Sequence, residues 1–167
     1  MIVVTGATGN VGRPLTRALA EAGQQVTAVS RTAAPVPDGV RHVTADLAEP
    51  SSLESALAGA KALFLLLSGD LHAAGASPAD IIGQAVSCGV RRVVLLSSLG
   101  VATRPFGSTR IALRGVEDTL RESGLEWAVL RPGGFASNAL WWADSVRERQ
   151  VVAAPFGDVG VPVIDPA

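Results

Sequence analysis

Gly6, Gly9 and Gly12 recur at three-residue spacing in Val3-Val4-Thr5-Gly6-Ala7-Thr8-Gly9-Asn10-Val11-Gly12, directly after a strand-sized apolar run. That order suits anion chemistry. Gly6 lets the backbone turn sharply after a buried strand, Gly9 lets it approach a phosphate without a Cβ in the way, and Gly12 lets the next helix pack close to the sheet. A helix starting at Val11 directs its dipole and free N–H groups at the anion. The spacing is G-x-x-G-x-x-G, where the common dinucleotide fingerprint is G-x-G-x-x-G, so strand and helix context must carry the reading. The alternative is a glycine-rich turn with no ligand.

Further polar groups fall at the ends of later strand-like runs. The second run ends in Ser30-Arg31, with no carboxylate before Asp38. An acidic residue there would bind ribose hydroxyls and repel a 2′-phosphate, whereas arginine offers a planar fork to one. The expectation is NADP in preference to NAD; the competing reading is a solvated loop arginine. Asp46 and Leu47 follow the third run. Asp46 either accepts from an adenine amine, with Leu47 covering the ring, or caps the next segment. Leu66, Leu67 and Ser68 end the fourth run, and Ser97 and Ser98 the fifth. Pro132, Gly133, Gly134 and Phe135 follow the sixth, toward the nicotinamide end. Trp141 and Trp142 are adjacent, so on a helix they diverge by about 100°. One is expected in the core and the other toward a pocket or partner, with plain packing as the alternative to an aromatic wall for a flat substrate.

These groups need a scaffold of alternating strands and helices. Strands are expected at Met1–Thr5, Gln25–Ser30, Val40–Thr44, Ala62–Leu67, Arg92–Ser97 and Glu126–Leu130. The fourth and fifth show no polar alternation, as for strands covered on both faces. Helices are expected at Val11–Ala22, with Asn10 as cap, at Pro50–Leu57, from Pro78 with Ser77 as cap, from Ser108 or Thr109 to Ser123, and at Ala136–Arg147. Loops are expected at Ser68–Ala76 and Ser98–Gly107, and short strands at Val151–Ala153 and Val161–Ile164. The pattern implies an α/β fold, a doubly wound parallel sheet of the Rossmann type with helices on both faces and order 3-2-1-4-5-6. Residues 1–134 would form the dinucleotide-binding core and 135–167 the start of a substrate-side lobe.

The chain has 167 residues, 48% hydrophobic and 17% charged, which excludes a disordered polymer. A net charge of −1 gives no pull toward nucleic acid or acidic membranes. One cysteine, Cys88, fits a reducing, cytoplasmic setting. No secretion signal or membrane-length run is evident, and two histidines without a carboxylate cluster argue against a metal site.

The phrases VTGATGNVGRPL, ADL, ALFLLLS, GVRRVVLLSSLG, ESGLEWAVLRPGGFASNAL and APFGDVGVPVIDPA resemble the NmrA-like, atypical branch of the short-chain dehydrogenase/reductase superfamily, in particular its quinone-reductase-like and redox-sensor-like members. The resemblance implies an NADP-type dinucleotide on the glycine turn, with contacts from Gly6, Thr8, Gly9, Asn10, Val11, Arg31, Asp46 and Leu47 and from the ends of strands four and five. One departure stands out. Carbonyl-reducing members use a Tyr-x-x-x-Lys pair, but this chain has no tyrosine, and its one lysine, Lys61, precedes strand four. Unassisted Ser97 and Ser98 are poor proton donors near neutral pH. His42 and His72 read as surface residues, His72 the nearer to the pocket. The residues thus leave open an NADPH-dependent reductase of a flat apolar acceptor such as a quinone and a non-catalytic dinucleotide sensor. Ile164-Asp165-Pro166 resembles a helix start, so the substrate-side lobe reads as incomplete, or completed by a partner chain.

Overall fold

The computed structural model describes residues 1–67, 77–103, 108–154, 157–160 and 162–166. Six strands, β1 (Ile2–Thr5), β2 (Val26–Ser30), β3 (Arg41–Thr44), β4 (Ala62–Leu66), β5 (Arg92–Leu96) and β6 (Glu126–Leu130), form one parallel sheet in the order β3-β2-β1-β4-β5-β6. This is the expected order, and it reverses direction between β1 and β4. The helices are α1 (Gly12–Glu21), α2 (Glu54–Leu57), α3 (Pro78–Ser87), α4 (Gly100–Thr103), α5 (Ser108–Glu122) and α6 (Ala143–Arg149).

Strand alternation divides the core. Val3, Leu63, Leu65, Val93 and Leu95 point to one face, where they pack with Leu57 of α2, Ile81 of α3 and Leu120 of α5. Val4, Ala28 and Phe64 point to the other, under Leu15 and Leu19 of α1. Each fully buried aliphatic side chain contributes about 1.5–3 kcal/mol, so the four inner strands β2, β1, β4 and β5 are held from both sides. β6 has a neighbour on one side only, and Trp127, Ala128 and Leu130 are exposed.

Several local expectations are corrected. Residues Pro50–Leu53 wind as a 3-10 turn, and only Glu54–Leu57 is α-helical. The expected loop after β5 contains α4, whose Gly100 N–H donates to Ser98 Oγ at 3.1 Å. Ala136–Trp142 is 3-10 rather than α-helical. Residues 151–153 form no strand, whereas Gly134–Phe135 (β7) pairs in parallel with Val163–Ile164 (β8). The cause is close approach: a Cβ on Gly133 would lie 2.5 Å from the Pro162 carbonyl oxygen, and Gly134 N–H donates to that oxygen at 3.0 Å. Ser77 caps α3 as expected, accepting from Ala79 N–H at 3.2 Å. Ser68 and His72 lie outside the described residues.

Thr5 locks the end of β1 to β4. Its buried Oγ1 accepts from Leu66 N–H at 2.8 Å and lies 3.0 Å from the Leu66 carbonyl oxygen. Thr5→Val keeps the shape but strands that N–H. Urea unfolding should show a loss of about 1–3 kcal/mol, and an unchanged midpoint would mean that the hydroxyl contributes nothing.

Candidate functional site

The turn between β1 and α1 is built by its glycines. Gly6 has φ +61°, the left-handed region that favours glycine. A Cβ on Gly12 would lie 2.1 Å from the Gly6 carbonyl oxygen and 2.8 Å from Ala7 Cα. Gly12 therefore lets the helix close on the turn itself, rather than on the sheet at large. Gly9 N–H donates to Gly6 O, and Arg13 N–H donates to Gly9 O, both at 3.0 Å. Asn10 is not a cap: α1 is entered from Val11, already helical at φ −92° and ψ −45°, with no side-chain cap. The turn winds straight into the helix and leaves no extended residue to act as one. Asn10 Nδ2 instead donates to Ser137 Oγ at 3.4 Å. No acidic residue occupies the first turn of α1.

Over the ends of β1, β2, β3 and β4 lies a cleft of about 220 Å³. The glycine turn contributes Gly6, Thr8 and Gly9 to it. Ser30 and Arg31 come from the end of β2, Asp46 and Leu47 from the segment after β3, and Leu66 from the end of β4. Eight of the residues singled out in the sequence thus meet on one wall. Asp46 does cap its own turn, its Oδ1 accepting from Ala48 N–H at 2.9 Å. Asn10 lines a neighbouring hollow with Thr8, Gly9, Arg13 and Pro14.

A second cleft, about 500 Å³ and mostly apolar, is walled by Val11, Pro14 and Leu15, by Leu96 and Leu130, and by Pro132 and Phe135. Other expected site residues lie off the walls of these two clefts. Leu67 packs against the core on the face of α2, α3 and α5. Gly12 is buried beneath Gly6. Trp141 and Trp142 are 81% and 39% exposed, so neither is the core residue expected of the pair. A 3-10 segment at the surface presents both.

Ser97 is buried, and its hydroxyl donates to Glu117 Oε1 at 2.6 Å. Glu117 is fully buried and also accepts from Arg131 at Oε1 (3.0 Å) and Oε2 (2.5 Å) and from Arg121 at Oε2 (2.8 Å). Burial alone would raise its pKa. The hydrogen bonds from Arg131, Ser97 and Arg121, with the charge of Arg131, outweigh that and bring the carboxyl to about 2. A carboxylate this strongly neutralised is no general base, so Ser97 and Glu117 do not form an activated nucleophile. They tie the ends of β5 and β6 to α5, assisted by Ser97 N–H donating to Leu130 O at 2.7 Å.

Sequence reasoning missed Glu117, although it left a signal. Leu113, Val116, Glu117 and Leu120 follow the i, i+3, i+4, i+7 spacing of a buried helix stripe, and a carboxylate in that stripe demands partners. His42 was also misplaced: it is half-buried, with Nε2 2.8 Å from Ser30 Oγ.

A parallel sheet with a glycine turn at its order reversal defines a Rossmann-type dinucleotide-binding domain. The NAD(P)H-binding family model matches residues 6–148, and the chain belongs to that family. Its relatives place it in the atypical short-chain dehydrogenase/reductase, NmrA-like group. It is 36% identical over 99% of its length to (4-alkanoyl-5-oxo-2,5-dihydrofuran-3-yl)methyl phosphate reductase of Streptomyces griseus, covering 59% of that protein. It is 32% identical to NAD(P)H azoreductase of Xenophilus azovorans, with 99% and 59% of the two chains covered. The structure of an Escherichia coli NADPH-dependent quinone oxidoreductase complexed with NADPH superposes with a TM-score of 0.73 and 28% identity, over 90% of this chain and 55% of that one. The chain thus spans about three fifths of the length of the curated relatives it matches. Among the described residues, no helix is long and apolar enough to cross a membrane.

Proposed function

We propose that the protein binds NADPH across the first cleft and reduces a flat, apolar acceptor such as a quinone. The observation that carries this reading is the meeting of the glycine turn, Arg31 and Asp46-Leu47 on one wall at the sheet's order reversal. Gly6, Thr8, Gly9, Asn10 and Val11 would face the pyrophosphate, with Gly12 holding the turn. Arg31 would meet the 2′-phosphate, with Ser30 shaping its loop. Leu47 and Leu66 would flank the adenosine half. Pro132, Gly133 and the β5 end at Ser97 and Ser98 would border the nicotinamide half, with Leu67 behind them. The fit is steric and electrostatic: at Gly9 a Cβ would meet only Gly6 O, at 3.3 Å, and no carboxylate in the first helical turn opposes an anion.

When bound, NADPH supplies the hydride. The residues need only position two flat rings, and solvent supplies the proton that completes reduction of the acceptor, which requires no tyrosine acid. Phe135 and Pro132, on the apolar cleft, are suited to one face of such an acceptor. Residues 135–166 would belong to the substrate side, with Trp141 and Trp142 facing a further lobe or partner chain. The lone Cys88 agrees with a reducing, cytoplasmic setting. The absence of tyrosine favours a second reading, a sensor that binds NADPH without chemistry. NADPH oxidation with a quinone panel separates the two: turnover supports the reductase, and tight binding with no turnover supports the sensor.

Arg31→Ala tests the cofactor preference. Losing a charge-assisted bond of about 1.5–3 kcal/mol should weaken NADPH by roughly tenfold or more while leaving NADH within about twofold. Equal losses for both cofactors would remove Arg31 from the 2′-phosphate site.

A further inference from the structure

Ser30 closes β2 and is buried, so its hydroxyl must find partners inside the protein. It has two: the Thr32 carbonyl oxygen at 2.8 Å and His42 Nε2 at 2.8 Å. A hydroxyl has one hydrogen to give. A carbonyl can only accept, so that hydrogen goes to Thr32 O. Ser30 Oγ then accepts from His42, which carries its proton on Nε2. The register explains the meeting. His42 pairs with Ala28, and Ala28 and Ser30 share a face of β2, so the imidazole reaches Ser30 along the diagonal. Between the two anchored residues stands Arg31, on the wall of the first cleft. The chain from His42 through Ser30 to Thr32 thus folds the three-residue segment that carries the arginine. His42 itself is not on that wall.

We propose that His42 is a positioning residue that sets the preference between NADPH and NADH by holding the Ser30–Thr32 turn in the conformation that presents Arg31. The proposal rests on the dinucleotide reading above and adds a residue outside the cleft. The Ser30 hydroxyl serves the turn, so it is not itself the phosphate ligand.

The test is a double-mutant cycle on the full chain, read as the ratio of NADPH to NADH affinity by titration calorimetry. His42→Ala, outside the cleft, should lower that ratio about three- to tenfold with NADH affinity within about twofold of wild type, and Ser30→Ala should lower the ratio by a similar factor. The double variant should lower it no further than the stronger single, because both remove one shared chain of bonds. His42→Gln, which keeps a side-chain N–H donor, should recover most of the ratio. An unchanged ratio in His42→Ala, multiplying effects in the double variant, or equal losses for both cofactors would overturn the proposal. Thermal melts of each variant identify simple unfolding, in which case His42→Gln alone decides: a wild-type ratio supports the proposal and a lowered one overturns it. A wild-type protein that binds neither cofactor would instead overturn the dinucleotide reading, so the two failures are distinct.

Discussion

Glu117→Gln should destabilise the protein by about 3–5 kcal/mol at pH 7, the cost of breaking a buried ion pair from one side. The glutamine fills the same space, but its amide nitrogen must face a guanidinium, and the negative charge shared by Arg131 and Arg121 is gone. Both arginine side chains are 36% exposed and can relax toward water, which favours the lower end of the range. The acid profile identifies the cause. The carboxyl titrates near 2 in the folded protein against an ordinary 4.5. Its contribution, on the order of 3 kcal/mol, is complete above about pH 4.5, declines as pH falls toward 2 and is gone below that. The gap between wild type and variant in urea should therefore narrow by roughly half between pH 7 and pH 3. A gap that does not change with pH would assign the loss to packing instead.

The second large effect is Gly12→Ala. The added Cβ would collide with backbone at 2.1 Å (Gly6 O), 2.7 Å (Gly6 C) and 2.8 Å (Ala7 Cα), and backbone cannot swing aside as a side-chain tip can. The turn must open or the helix must retreat, at a cost of about 1–3 kcal/mol or more. Either movement would spoil the proposed phosphate cradle, so NADPH affinity should fall by about a hundredfold, in line with misplaced positioning groups. Gly9→Ala is the informative partner. Its Cβ meets only Gly6 O at 3.3 Å and the residue is exposed, so the fold should be nearly as stable as wild type while binding falls. Wild-type NADPH affinity in Gly12→Ala, measured alongside its melting curve, would remove the turn from the binding site.

Much of this was legible in the chain. The six strands and their order followed from apolar runs alternating with helical stretches and from the handedness of parallel crossovers. The glycine turn was legible because its spacing sits between a strand and a helix. Capping was less so: Asn10 has the right residue type, but the backbone around it is already helical, and sequence does not reveal that dihedral. The Glu117 cluster joins α5 to the residues just after β5 and β6, which only topology brings together, with Arg131 fourteen positions downstream. Ser97 looked like a site hydroxyl because it ends a strand at the right edge. In the folded chain a buried carboxylate faces it from α5 and accepts its hydrogen bond. The tryptophan pair misled because the 3-10 segment that carries it buries none of its residues, so neither ring has a core to enter.

The clasp between Thr5 and Leu66 has a consequence for how the molecule comes into being. The two residues are 61 positions apart, so the turn that opens the chain is fastened by a residue made much later. Joining ends that far apart costs roughly 4 kcal/mol of chain entropy, and nothing near the N-terminus alone repays it. During synthesis β1 and β2 can meet early, across 24 residues, but the site edge stays open until β4 has left the ribosome. The glycine turn is first in the sequence, and it is among the later parts of the site to acquire its final form.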